Sequence, residues 1–246
     1  MLLDGVTIAT ITWARTDEEQ QTLRASMQAL SRIGCPIFVA DGGSGSDFRA
    51  YLRSLPNVNP VPSERAGVIG QTRASLRAAL SAGCSFVVYT ESDKQQFFEI
   101  SLRAFIERAP DDERLGVFIA ARNTASFATF PETQQKTEGA MNDLFGREVE
   151  QAGDFCYGPL IINAGLVLYL EEVDPELGWG WRFYIMGLAH RAGYRLELLE
   201  ADLPCPLSQR QNFASERTRR MLQLSQNLRG TVLGLQTQHT IFSGVR

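Results

Sequence analysis

Three carboxylates in the first hundred residues have the type and spacing to hold a charged ligand. Glu91-Ser92-Asp93 follows the apolar run Ser85–Thr90, and Asp41 follows a second apolar run at 36–40. Residues two apart on extended backbone project to the same side, so Glu91 and Asp93 can share one ligand. If both runs are parallel strands, all three acids face the crevice at the carboxyl ends of the sheet, where ligands of such sheets gather. Paired carboxylates there suit a hard divalent cation, Mg2+ or Mn2+, that keeps waters and binds substrate phosphates. Such an ion would neutralise charge on a departing diphosphate. The competing reading is that these are solvated loop acids or helix caps.

Arginines are the second signal. Arg65, Arg73, Arg122 and Arg182 flank expected strand ends or helix starts. A guanidinium binds phosphate or carboxylate bidentately, so one or two of them can hold a diphosphate or an anionic acceptor. A surface role stands beside that reading for each. Arg122 closes a strand and is expected nearest the crevice. Trp179 and Trp181 can stack on a sugar face or pack the core. His190 falls inside an expected helix and His239 near the terminus. With only these two histidines a Ser-His-Asp hydrolase is poorly supported, and the turn at 42–46 is no GxSxG elbow. There is no P-loop, and the Gly-rich turn follows the second strand rather than the first, against a dinucleotide fingerprint.

The elements that must position these residues are legible from periodicity. Strands are expected over 6–13, 36–40, 58–61, 85–90 and 115–121. Helices are expected from Thr16, over 47–55, over 69–82 and over 96–108. Thr16 with Glu19 forms a capping box, and Leu23, Met27 and Leu30 supply an apolar stripe. The run Ser85–Thr90 does not alternate, as expected of a strand covered on both faces. This βαβα order implies an α/β fold with a doubly wound, mostly parallel sheet and helices on both faces. The second half reads as a polar-rich helix over 131–149, an apolar segment over 160–170, a helix over 181–192 closed by Gly193, a strand over 194–201 and a long helix over 212–235. No linker separates the halves, so 1–246 is expected to form one domain, with a nucleotide-binding half (1–122) and an acceptor-side half ending in the long helix (123–246).

Composition bounds the function. At 246 residues and 44% hydrophobic content the chain can bury a sizeable core. A net charge of −4 argues against a general nucleic-acid binder but leaves room for one phosphate pocket. No secretory signal or transmembrane segment is visible, and four scattered cysteines without a CxxC pair read as reduced thiols of a cytoplasmic protein.

On these motifs the chain resembles the GT-A glycosyltransferases, specifically family-2-like enzymes and the related glucosyl-3-phosphoglycerate synthase type. Thr12-Trp13-Ala14-Arg15 is similar to their first nucleotide-binding loop, and Asp41-Gly42-Gly43-Ser44 to the DGGS-like motif that holds base or ribose. Residues 67–76 resemble the segment G-x-G-x-A/T-R-x-x-x-L, which brings in Gly70 and Arg73, and Glu91-Ser92-Asp93 resembles the DxD motif for ribose and metal. Gly178-Trp179-Gly180-Trp181 looks like the acceptor-side segment GWxxED, except that Arg182-Phe183 replaces the acidic pair. Inverting members draw their general base from that pair, so its loss favours retention or a displaced base, Asp174 or Glu176. Retaining relatives often carry a metal-binding His after the last strand, and residues 206–210 have none.

The resulting expectation is sugar transfer from a nucleoside diphosphate sugar to a small or anionic acceptor. Thr12, Arg15, Asp41, Gly70, Arg73, Glu91 and Arg122 would bind the donor, Glu91 and Asp93 the metal, and Glu91, Asp93 and Arg182 would serve catalysis. Two alternatives stay open: a nucleotidyltransferase, for which only Arg15 stands directly after the first strand, and a non-catalytic sugar-nucleotide-binding module. A homo-oligomer is left open as well.

Overall fold

A central sheet can be apolar on both faces only if helices cover both, and the strands of this chain are built that way. The computed structural model describes residues 1–63, 67–211 and 213–237. The first half runs β1 (Val6–Thr12), α1 (Asp17–Ser31), β2 (Ile37–Asp41), α2 (Ser46–Ser54), β3 (Val58–Val61), α3 (Gly67–Leu80) and β4 (Phe86–Tyr89). Next come α4 (Gln95–Ile100), α5 (Leu102–Arg108), β5 (Leu115–Arg122), α6 (Thr124–Phe127) and α7 (Glu132–Glu148). The chain ends with β6 (Leu160–Asn163), α8 (Ala164–Val167), α9 (Trp181–Arg191), β7 (Arg195–Ala201) and α10 (Ala214–Gln236).

One seven-stranded sheet has the order β3-β2-β1-β4-β6-β5-β7. All neighbouring pairs are parallel except those of β6, which runs antiparallel to both β4 and β5. This is the expected mostly parallel α/β sheet, with one strand from the second half inserted between two from the first. Alternate residues of each strand feed two cores. Val6, Ile8, Phe86 and Val88 pack with α1, α2, α4 and α5, whereas Ala9, Ile11, Val87 and Tyr89 pack with α3, α7 and α9.

Local signals hold closely in the first half. Thr16 caps α1 by accepting the Glu19 N–H at 3.2 Å. Glu19 does not return the bond to Thr16 but accepts the Arg15 N–H at 2.8 Å instead. The helix expected over 96–108 divides at Ser101 into α4 and α5, both of which bury phenylalanines. The apolar segment 160–170 is not uniform: β6 ends at Asn163, whose side chain accepts the Gly165 N–H at 3.0 Å and starts α8.

Beside apolar side chains such as Leu233, the α9–α10 contact brings backbone against backbone. A Cβ on Gly230 would overlap the Gly180 carbonyl oxygen, and one on Gly234 would overlap the Tyr184 carbonyl oxygen. Only glycine lets the two helices approach this closely, and the approach fixes the start of α9. Gly139 in α7, by contrast, has open space where a Cβ would go. We expect Gly230→Ala to destabilise the fold by about 1–3 kcal/mol through overpacking. Gly139→Ala should instead stabilise it by about 0.4–1 kcal/mol, because alanine loses less backbone freedom on folding. Thermal or urea denaturation of the two variants checks the contrast.

Candidate functional site

The carboxyl ends of β1 and β2 meet in register, Thr12 opposite Asp41. Asp41 organises the turn that follows. Its Oδ1 accepts the N–H groups of Gly43 (3.1 Å) and Ser44 (2.8 Å), and its Oδ2 accepts the hydroxyls of Thr12 (3.0 Å) and Ser44 (2.6 Å). The Ser44 hydroxyl in turn accepts the Ala14 N–H at 2.7 Å, joining the two loops. A carboxylate has about four acceptor positions, and these bonds use them all. Asp41, expected to hold the nucleoside, here directs its acceptors to shaping its own turn. Buried Gln71 ties α3 to the same ends, donating to the carbonyls of Thr12 (2.9 Å) and Ala40 (3.1 Å). Arg15 is exposed, bound to Glu19 at 2.7 Å and stacked over Trp13 at 5.3 Å. That partnership raises its pKa, through the Glu19 bond first and the Glu19 charge second.

Glu91 and Asp93 lie beyond the end of β4, but their surroundings differ. The antiparallel pairing of Tyr89 with Leu160 carries Glu91 opposite Gly158. Gly158 has φ +127°, and a Cβ there would overlap the Glu91 carboxylate, so this glycine is what admits the acid. Oε1 of Glu91 accepts Nη1 of Arg182 at 2.9 Å, with the two side chains 16% and 4% exposed. Arg182 stands over Trp179 at 5.6 Å, while Trp181 is fully buried edge-on to Tyr89 at 4.6 Å. Burial first, and the Glu91 charge second, push the Tyr89 hydroxyl far up. Glu91 Oε2, Arg182 Nε and Trp181 Nε1 are buried without a hydrogen-bond partner among the described residues. The two acids expected to share a metal thus differ: Glu91 is paired with Arg182, whereas Asp93 is exposed, and Arg182, expected to serve catalysis, commits one nitrogen to Glu91.

Asp93 is exposed at the mouth of a cleft of about 260 Å³, between α4 and the segment after β7. Lys94, Phe97, Tyr157 and Asp202 help line it. The Lys94 ammonium sits 4.6 Å from the Tyr157 ring centroid. Burial acts to lower its pKa, but the charges of Asp93, Tyr157 and Glu91 outweigh that and hold it above the ordinary lysine value. Among the described residues no three His, Cys, Asp or Glu side chains come together as a metal site.

The other expected arginines are turned inward. Arg122 is buried, with Nε 2.6 Å from Asp154 and Nη2 2.7 Å from Glu138. Its guanidinium lies between Phe127 (4.7 Å) and Phe130 (4.4 Å). Arg220 of α10 reaches Glu138 at 3.2 Å, which closes a four-charge cluster. Burial works to lower the Arg122 pKa, yet Glu138 and Asp154 raise it. Burial works to raise that of Asp154, yet the Arg122 bond and charge hold it below the carboxylate range. Arg73 donates to the backbone carbonyls of Leu170 and Val173, and with Gly70 it lines a separate groove beside Arg77 and Glu171. Arg73 and Arg122 therefore hold the fold and do not present cations to the crevice. Arg65 and His239 lie outside the described residues, and His190 is exposed. Asp174 caps the turn before α9 and binds Arg229 at 2.6 Å on the surface.

Sequence reasoning missed Gln71, Lys94, Glu138, Asp154 and Gly158. A glutamine within the expected helix over 69–82, a glycine before proline at the start of an apolar segment, and a lysine directly after the ExD were the signals available for three of them.

No protein-family model matches the chain, and no curated protein does. Solved structures do match. One is a glucosyl-3-phosphoglycerate synthase from Mycobacterium tuberculosis in complex with Mn2+, UDP-glucose and phosphoglyceric acid. It is 13% identical, with a TM-score of 0.66 over 94% of this chain and 80% of that one. The same enzyme in complex with Mg2+ and UDP is 12% identical, with a TM-score of 0.61 over 94% and 80% of the two chains. A further mycobacterial protein is 14% identical, with a TM-score of 0.64 over 94% and 76%. At such identities the likeness establishes the fold, which is that of the GT-A glycosyltransferases.

The buried cluster gives a stability prediction. Asp154 has a folded-state pKa below its unfolded value, so its contribution is present above the unfolded pKa and is lost as pH falls through the folded one. Arg122→Leu leaves Asp154 and Glu138 buried without their central cation, which should cost about 3–5 kcal/mol at neutral pH. The deficit against wild type should narrow as pH drops below about 4. Urea unfolding across that range reads it directly, and equal stability at pH 7 would return Arg122 to the ligand-binding candidates.

Proposed function

We propose that this chain is a cytoplasmic, single-domain glycosyltransferase that moves a sugar from a nucleoside diphosphate sugar to a small acceptor. The observation that carries the reading is a GT-A sheet in which β2, β1 and β4 are parallel neighbours, so that the Asp41 turn and the free carboxylate of Asp93 follow strand ends on the same edge of the sheet. The loops 12–15 and 41–44 would receive the nucleoside. Asp41 keeps them together, and the exposed ring of Trp13, backed by Arg15, offers a stacking surface for a base. Four cysteines without a disulfide, and no described helix long and apolar enough to cross a membrane, accord with the cytoplasm.

The residues present fit a divalent cation through one carboxylate. Asp93 is exposed, with no hydrogen bond or ion pair among the described residues, and Mg2+ is commonly held by one or two carboxylates together with substrate phosphates and water. Asp93 would hold Mg2+ or Mn2+, which when bound supplies positive charge to the departing diphosphate. Glu91 and Arg182 keep the end of β4 in place. The matched synthase structures are complexes with Mn2+ and UDP-glucose or with Mg2+ and UDP, in keeping with this assignment.

Retention is part of the proposal. It is supported by Arg182-Phe183 standing where inverting members carry the acidic pair, and by the engagement of one displaced-base candidate, Asp174, with Arg229, while the other, Glu176, is exposed. In a front-side transfer the acceptor oxygen bonds to the anomeric carbon as the bond to the diphosphate breaks. The acceptor's proton passes to a leaving phosphate oxygen. A second reading, a sugar-nucleotide-binding module without turnover, is favoured by one observation, the neutralisation of Glu91 by Arg182.

Calorimetry with UDP should show tighter binding with Mg2+ than with EDTA, and Asp93→Asn should remove that difference while the protein stays folded. Affinity indifferent to metal in the wild type would take Asp93 out of the metal role. Incubation with UDP-sugars and small acceptors should yield a product whose anomeric configuration, read by proton NMR before mutarotation, matches the donor. An inverted anomer would point to another base, and binding without turnover to the module.

A further inference from the structure

We infer that Lys94 is the anion-binding group of the cleft beside Asp93, receiving a phosphate or carboxylate oxygen of a bound substrate. The inference rests on the glycosyltransferase reading and deepens it. An ammonium carries three N–H donors and normally finds oxygen acceptors. Nζ of Lys94 has neither a hydrogen bond nor an ion pair among the described residues, although Asp93, Glu99 and Asp202 line the same cleft. What holds it is the face of Tyr157, 4.6 Å away, a favourable place for a cation that leaves its N–H groups free. Tyr157 is itself fixed, 91% buried and edge-on to Phe97 at 5.9 Å, so the ammonium is presented by a rigid platform.

The arginines that would otherwise do this work are engaged elsewhere. Arg182 is on Glu91, Arg122 on Asp154 and Glu138, and Arg73 on two backbone carbonyls. Lys94 directly follows Asp93 and stands toward Tyr157, at the boundary between the β1–β2–β4 end of the crevice and the side built by β6, β5 and β7. An anionic oxygen at that boundary can belong to the donor's diphosphate or to an acid group on the acceptor. The chemistry Lys94 supplies is the same in both cases.

Titration calorimetry of the full chain with uridine, UDP and 3-phosphoglycerate, each with Mg2+ and with EDTA, tests this on wild type, Lys94→Gln and Lys94→Arg. We expect Lys94→Gln to weaken UDP or 3-phosphoglycerate by ~10- to 100-fold, the scale of a lost charged hydrogen bond, and to leave uridine unchanged. Lys94→Arg should keep most of the affinity. The ligand that weakens identifies the source, diphosphate or acceptor. If wild type binds UDP and Lys94→Gln binds both anions equally well, the Lys94 assignment falls and the glycosyltransferase reading stands. Equal weakening of uridine and UDP would assign Lys94 a structural role and also overturn it. A wild type that binds neither UDP nor 3-phosphoglycerate overturns both.

Discussion

The guanidinium of Arg182 and the carboxylate of Glu91 meet at 2.9 Å where bulk water solvates neither well. Charges in such a place attract each other far more strongly than in water, but removing them from solvent is costly. The pair persists because its geometry is set from several sides. Glu91 is fixed by the β4–β6 register and by the space over Gly158, Arg182 by the first turn of α9 and the neighbouring Trp179. The start of α9 is in turn seated by glycines of α10. The crevice keeps its shape only while these four elements stay together.

A similar constraint acts two strands further along the sheet, beyond β6. Arg122, at the end of β5, gathers Asp154, Glu138 and Arg220 from three other segments. Two arginines and two carboxylates sum to zero charge, which is how so many ionic groups can share a buried position. The cluster anchors α7 and α10 to the sheet and leaves Tyr157 packed at the edge of the cleft. The stability of the second half and the position of the Lys94 platform are therefore linked.

These buried pairs also decide what the crevice can offer a ligand. Of the two acids in the ExD, one carries a permanent counter-charge and the other does not. Of four arginines flanking strand ends or helix starts, three are enclosed, and the cleft is left with exposed carboxylates, Asp93, Glu99 and Asp202, beside a lysine. A site of that composition relies on substrate phosphates and water to complete any metal shell, and on a point charge rather than a bidentate fork to meet an anion.

What the sequence determined by itself is what short-range rules govern. The unbroken apolarity of Phe86–Tyr89, the cap at Thr16 and the alternation of strand and helix periods marked most elements of the first half. They also marked the crevice at the ends of β1, β2 and β4, because these signals depend on neighbours a few residues away. The tertiary structure decided the partners. That β6 enters antiparallel between β4 and β5 follows from pairings across some seventy residues of chain, Val87 with Ile162 for one. That Arg122 and Arg182 face carboxylates rather than a ligand likewise follows from contacts no local window contains. A guanidinium reads the same in sequence whether its anion is a phosphate or a buried glutamate, and only packing, which removes the water, chooses between them.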